Sequence, residues 1–323
     1  MLFYKFINKI LFICLFCLFI SGICQAENKP FYNSIKFVQV SDVHFLDNAE
    51  NRGSRMLKHS ETLLQDAINQ INAMKDVNFV VFTGDMIDTP RKTLLEKFAK
   101  TANQLEVPWF WTMGNHDVGG KFNKDSFLQT INQNHFFPQN KPYYSYKKEN
   151  FLFIFMNGVV DDRITSNAFF TERELSWLEN EIKANRDSYI VIFQHYPLIE
   201  PFISSSHQVL NSAKYLEILD KYDNISAVIT GHYHCARVKT RNNVVHISSP
   251  ALVQYPNAMR KITLESVDEY VLISLDFMPV TLENVRAESL QHTASVKLHS
   301  GSEQDRESLI ILHKPISKIP EFL

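Results

Sequence analysis

The chain has 323 residues, 45% hydrophobic and 21% charged, the balance of a folded soluble protein with enough apolar side chains for a sizeable core. A disordered tail and a collagen-like repeat are excluded. Lys and Arg number 33 against 35 Asp and Glu, a net charge of −2, so charge gives no reason to expect a nucleic-acid polymer as partner.

The first nine residues carry Lys5 and Lys9, an apolar run follows from Ile10 to Ile20, and Ser21 to Ala26 lead to charged Glu27. This is the pattern of a secretory signal cut near Ala26, which implies a secreted or periplasmic protein. The run is short for a membrane span, so no stable membrane insertion is expected after cleavage; an uncleaved anchor and lipid attachment at Cys24 are the rival readings. Cys14, Cys17 and Cys24 fall inside the signal, leaving Cys235 as an inert thiol with no intrachain disulfide partner. The expected organisation is a signal at 1–26, a main unit at 27–264, and a β-rich extension at 265–323, packed on that unit or forming a small appendage.

Short apolar, β-branched or aromatic runs predict buried strands at Ile35 to Val40, Val77 to Phe82, Val107 to Met113, Phe151 to Met156, Tyr189 to Phe193, Ile225 to Ile229 and Val244 to Ile247. Helical faces lie between them: Leu64, Ala67, Ile68, Ile71 and Met74; then Leu94, Leu95, Phe98, Ala102 and Leu105. A third helix opens on the capping box Thr171 and Glu174. Alternating strand and helix predicts an α/β layered fold. Met259 to Leu264 and Tyr270 to Phe277 read as antiparallel strands, His292 to Arg306 as polar loop, and Ser308 to Leu312 as a late strand.

Polar residues collect where the strands end. The first runs into Ser41-Asp42-Val43-His44, the second into Gly84-Asp85-Met86-Ile87-Asp88, and the third into Gly114-Asn115-His116-Asp117. Two later ones lead to Gln194-His195 and to Gly231-His232-Tyr233-His234. Strand ends of an open α/β sheet share one rim, so these residues are expected to converge. Gly84, Gly114 and Gly231 each precede a candidate ligand and allow close approach of the backbone.

Asp42, His44, Asp85, Asn115, His195, His232 and His234 are too many donors for one tetrahedral zinc. They suit two ions with a shared carboxylate, and oxygen plus imidazole without thiolate favours Fe, Mn or Zn. Such a pair activates water and clamps the oxygens of an in-line displacement, as hydrolysis of a phosphate ester requires.

The ordered motifs D-x-H, G-D-x-x-D, G-N-H-D, a lone His and G-H-x-H resemble the calcineurin-like metallophosphoesterase superfamily over about Ile35 to Arg260. The resemblance implies a four-layer sandwich of two mixed β-sheets flanked by helices, with the site on its rim. It implies that Asp42, His44 and His234 hold one metal, that Asn115, His195 and His232 hold the other, and that Asp85 bridges them. It further implies that His116 is the acid for the leaving alkoxide, that Asp88 orients and charges it, and that Asn115 helps to stabilise the growing negative charge. Asp117 is read as a structural hydrogen-bonding residue.

Thr89-Pro90 stands where the protein phosphatases of this superfamily carry Arg-Gly, and Asp88 stands where purple acid phosphatases carry a metal-binding tyrosine. The motifs are similar instead to the class III cyclic-nucleotide phosphodiesterases and their exported relatives. The expected substrate is a small phosphodiester such as a cyclic nucleotide. Alternatives are a phosphomonoesterase such as a nucleotidase, a sphingomyelinase-like lipid phosphodiesterase, and a metal-containing binding protein without turnover. The motifs leave the oligomeric state open.

Tyr196, Tyr233, Trp109, Phe110 and Trp111 are read as packing residues. Ser248 to Tyr255 is expected to form a loop over the rim, with His207 and Arg237 as candidates for its mouth. His59, His135, His246, His292, His299 and His313 are read as ordinary. The sequon Asn224-Ile225-Ser226 lies against a buried strand and is not expected to be used.

Overall fold

The computed structural model describes residues 32–160, 162–163 and 165–315; the signal read from residues 1–26 lies outside them. The strands in chain order are β1 (Tyr32–Val40), β2 (Phe79–Thr83), β3 (Trp109–Thr112), β4 (Tyr144–Lys148), β5 (Phe151–Phe155) and β6 (Tyr189–Phe193). They continue as β7 (Ile225–Thr230), β8 (Arg237–Arg241), β9 (Val244–Ser248), β10 (Ala258–Val267), β11 (Tyr270–Pro279) and β12 (Ser308–His313). The helices are α1 (Ser60–Asn72), α2 (Lys92–Ala102), α3 (Lys124–Asn134), α4 (Glu172–Ala184), α5 (Ser212–Leu219), α6 (Glu283–His292), α7 (Val296–Ser300) and α8 (Glu303–Arg306).

Six strands form one sheet in the order β12-β11-β10-β1-β2-β3, and six form the other in the order β4-β5-β6-β7-β9-β8. Both are mixed: β1, β2 and β3 are parallel, as are β5, β6, β7 and β9, whereas β10, β11, β12, β4 and β8 pair antiparallel. The two sheets meet through aromatic rings. Phe37 packs edge-on to Phe193 at 5.4 Å, and Phe79 to Phe153 at 5.0 Å. Side chains of a strand alternate between faces, so Phe82, three residues on from Phe79, turns the other way and meets Phe98 of α2 at 5.0 Å. Trp111 of β3 likewise meets Phe127 of α3 at 5.2 Å. Helix, sheet, sheet and helix therefore stack around one continuous core, which includes Trp109, Phe110 and Trp111.

Helix α1 buries Leu64, Ala67, Ile68 and Ile71 of the stripe visible in the sequence, together with Leu63, whereas Met74 lies past its end and is half-buried. The Thr171 hydroxyl and the Glu174 carboxylate close the capping box at the start of α4. Strands β4 and β8, at the two edges of their sheet, carry YSYKK and RVKTR and lack an apolar run, because most of their side chains are half-buried or exposed.

The stretch from His292 to Arg306, expected as loop, instead contains α7 and α8. Their cause is docking. Asp305 caps α8 through Ser302, accepts from the Val238 amide at 2.8 Å, and pairs with Arg237 at 3.1 Å. Buried Arg260 donates to the Asp305 and Arg306 carbonyls at 2.6 and 3.1 Å. Strand β10 crosses position 264 without a break, and β11 and β12 extend its sheet.

Cys235 is fully buried, and burial pushes its thiol up to about 12. Asn224 is buried with its amide donating to the Asn185 and Ser188 carbonyls, which leaves no room for a glycan.

Candidate metal centre

Parallel pairing puts the strand ends level. Val40 pairs with Phe82, Thr83 with Thr112, Phe193 with Ile229, and Thr230 with Ser248, so the polar segments after β1, β2, β3, β6 and β7 emerge on one rim. Backbone bonds join them: the His44 amide donates to the Asp85 carbonyl at 2.8 Å, and the Gly231 amide to the His195 carbonyl at 3.0 Å. Asp42, His44, Asp85, His232 and His234 all have positive φ, between 44° and 69°. Left-handed backbone at five of the seven candidate ligands is strain held in place by the surrounding core.

Glycines allow the closest approaches. A Cβ on Gly114 would lie 2.2 Å from Asp85 Oδ1, and one on Gly231 would lie 1.8 Å from Ser41 Oγ and 2.5 Å from Asp42 Oδ2.

Three groups of donor atoms result, each compact enough for one ion. Asp42, His44 and His234 form one and Asp85, His195 and His232 a second; the third, Asp88 and His116 with His44, shares His44 with the first. Asp42 Oδ1 lies 3.3 Å from His234 Nε2, and His44 Nε2 lies 3.3 Å from His234 Nε2. Asp85 Oδ2 stands between the groups, 3.6 Å from His44 Nε2 and 3.3 Å from His195 Nε2. Three imidazoles donate from Nδ1 to an acceptor behind them: His44 to Asp88 at 3.2 Å, His195 to the Thr83 carbonyl at 2.8 Å, and His234 to Gln254 Oε1 at 2.9 Å. Each is thereby held with Nε2 toward the carboxylates.

The electrostatics fit cations. Burial alone would raise the Asp42 carboxyl, but the His234 and His195 imidazoles overcome it and hold it at about 2. Asp85 is likewise held well below the usual carboxylate range against its burial, chiefly by His195. Burial pushes His44 down to about 4, whereas the charges of Asp85 and Asp42 outweigh burial at His195 and raise it to about 9. Two buried carboxylates stay ionised only beside positive charge. Asn115 Oδ1 and His232 Nε2 are buried without a hydrogen-bond partner, and His232 Nδ1 lies 3.1 Å from His195 Nε2. Oxygen and imidazole donors gathered this closely, with a buried amide oxygen unpaired, fit two metal ions.

His44, Asp85, Asn115, His116, His232 and His234 line a cavity of about 440 Å³. His116 Nδ1 donates to the backbone carbonyl of Asp88 at 2.7 Å, while the Asp88 carboxylate is 3.9 Å from the same nitrogen. That carboxylate instead takes His44, Arg55 at 2.8 Å and Arg52 at 3.0 Å. Orientation of His116 thus comes from the Asp88 main chain. Asp117 accepts from the Gly114 and Ile87 amides at 2.8 and 3.1 Å, and its burial pushes the carboxyl up to about 8.

His207 reaches the cavity; Arg237 does not line it, because Asp305 holds its guanidinium. The loop after β9 reaches over the rim and delivers Gln254. His299, read as ordinary, lines the cavity, and so do Tyr233, Phe202, Arg55 and Ser204. Among these, Tyr233 sits within a strand-end motif; Phe202, Arg55, Ser204 and His299 stand outside those motifs, which is why sequence reasoning missed them.

Residues 35–236 match the calcineurin-like phosphoesterase family. The chain belongs to that family. A 3',5'-cyclic-nucleotide phosphodiesterase of Nostoc sp. is 24% identical over 220 residues, 67% of this chain and 78% of the relative. A protein of Ruthia magnifica named "probable cyclic nucleotide phosphodiesterase" is 28% identical over 231 residues, 70% of this chain and 90% of its own. One of Arcobacter nitrofigilis named "probable glycerophosphodiester phosphodiesterase" is 24% identical over 218 residues, 66% and 76% of the two chains. The fold is shared with a dimetal phosphatase from Danio rerio, with a TM-score of 0.60 and 17% identity over 76% of this chain and 99% of that one. The phosphoesterase thus carries every candidate ligand inside the matched segment, whereas Gln254 and His299 lie beyond it.

Proposed function

We propose that this phosphoesterase is an exported phosphodiesterase for small diesters with a planar alcohol part, cyclic nucleotides first among them. One observation carries the choice: the cavity that holds the donor groups is also lined by the rings of Phe202, Tyr233, His207 and His299. Phe202 and Tyr233 meet edge to face at 4.9 Å, and His207 lies 5.0 Å from His232, so flat surfaces stand beside the donor groups. Aromatic faces of this kind receive a nucleobase by stacking. The lysine-flanked apolar run in residues 1–26 supports export.

In this reading Asp42, His44 and His234 hold one metal ion, Asn115, His195 and His232 the second, with Asp85 between them. Bound there, two cations supply positive charge to the phosphoryl oxygens and lower the pKa of water. His116, with Nδ1 bonded to the Asp88 carbonyl, keeps Nε2 for the proton that the departing oxygen needs. The Asn115 amide group donates to a phosphoryl oxygen while its carbonyl oxygen serves the ion.

The test is turnover by the mature protein of 3',5'-cyclic AMP, glycerophosphoethanolamine, bis-p-nitrophenyl phosphate and p-nitrophenyl phosphate, with Mn, Fe and Zn supplied in turn. The expected order places cyclic AMP and the aromatic diester above glycerophosphoethanolamine and the monoester. A monoester preference would overturn the reading in favour of a phosphomonoesterase, and no hydrolysis with any ion would favour a binding protein.

A further inference from the structure

We infer that Gln254 and His299 form a positioning device for His234, so that the C-terminal segment completes the metal centre; this rests on His234 being a ligand. Gln254 is 5% exposed and sits in the loop between β9 and β10. Its Oε1 accepts from His234 Nδ1 at 2.9 Å and from Ser54 Oγ at 2.9 Å. With the proton held on Nδ1, the Nε2 lone pair of His234 is turned to its position 3.3 Å from Asp42 Oδ1.

An amide can flip, and a flipped Gln254 would set its own N–H groups against the His234 N–H. Two contacts oppose the flip. Ser54 donates to Oε1, and Gln254 Nε2 lies 3.3 Å from the ring nitrogens of His299. His299 is anchored in turn on the segment it serves: its Nδ1 donates to the His234 carbonyl at 2.9 Å, and its own carbonyl accepts from the Ala236 amide at 2.9 Å. Gly301 brings the chain so close that a Cβ there would lie 2.3 Å from the Ala236 oxygen. The segment after α6 therefore grips residues 234–236 from behind while His299 sets the amide that sets the imidazole.

Acceptors behind a ligating imidazole fix its tautomer and ring orientation, and losing one costs about 10- to 100-fold in metal affinity. The experiment is Mn(II) titration of the chelator-stripped full chain by calorimetry, with bound metal counted by elemental analysis and folding checked by circular dichroism and thermal melting. The wild type is expected to bind two ions. Gln254→Leu should weaken one of them by about 10- to 100-fold, and Gln254→Glu, which keeps an acceptor, should restore most of that loss. His299→Phe keeps a ring against Phe202, removes the hydrogen bonds, and should give a smaller loss in the same site.

Wild-type affinity for both ions in Gln254→Leu overturns the inference, as does a Glu variant as weak as the Leu variant. Should Gln254→Leu fail to fold, His299→Phe decides, and unchanged affinity there overturns it. A wild type that binds no ion overturns the proposed ligand set itself, a result distinct from variants that bind two ions normally.

Discussion

Asp88 and His44 are joined through the carboxylate of one and Nδ1 of the other, 3.2 Å apart and both buried. The second carboxylate of the G-D-x-x-D motif therefore stands behind a candidate metal ligand, with its other bonds to Arg55 and Arg52. Asp88→Asn removes the charge that steadies the His44 tautomer. Metal affinity should fall by about 10- to 100-fold, with turnover falling in parallel. Elemental analysis after dialysis checks this; full metal content with lost turnover would return Asp88 to the role of tuning His116.

His116 has the opposite expected signature. His116→Ala should retain both ions, since the ring is held by a backbone carbonyl and belongs to neither of the two proposed ligand sets. Loss of a general acid costs about 10²- to 10⁴-fold where the leaving alkoxide is basic. Glycerophosphoethanolamine turnover should therefore collapse while that of bis-p-nitrophenyl phosphate, whose leaving group needs no proton, falls far less. Equal losses on both substrates would contradict the acid role.

Gly114 tests how tightly the rim is built. An alanine methyl would meet both the carboxylate and the main-chain nitrogen of Asp85, at 2.2 and 2.4 Å, and neither can retreat within a buried turn. Gly114→Ala should cost about 1–3 kcal/mol of stability, as overpacking does, and should lower metal content by moving Asp85, the proposed bridging ligand. Urea denaturation with parallel metal analysis reads both; unchanged values would show slack in the turn.

Outside the metal centre, His246 of β9 gives the fold an acid limit. Burial, aided by the charge of Arg241 and opposed by Asp220, pushes its imidazole from the ordinary 6.5 down to about 4. The folded state keeps it neutral while the unfolded chain takes up a proton below pH 6.5, so the unfolded state binds more protons from there down to about 4. Stability therefore falls as pH falls across that window, by on the order of 3 kcal/mol once the loss is complete. His246→Gln should flatten this part of the profile. Urea midpoints of wild type and variant between pH 7 and 4.5 check it, and parallel profiles would exclude the histidine as the cause.

The central strands were legible because burial on both faces demands unbroken apolar runs such as Phe79 to Phe82, and those runs end where chemistry begins. Asp42, His44, Asp85, Asn115, His116, His195, His232 and His234 could be singled out as candidates from their place after such strands, and the fold brings them together. Parallel pairing brings equivalent ends to one rim whatever the intervening loops contain. Strands β4 and β8 carried no such signal, since most of their side chains are only half-buried or exposed and so admit Lys and Arg.

Tertiary structure alone decided how side chains share partners. It turned Asp88 toward His44, tied Arg237 to Asp305, and carried Gln254 and His299 to the back of His234. Helix α8 exists for the same reason, with its last carbonyls satisfied by Arg260 from another strand. Local propensity and motif spacing act over a few residues along the chain. Hydrogen bonds between residues 20 to 68 positions apart depend on how the layers dock, and that is set by the packed core as a whole.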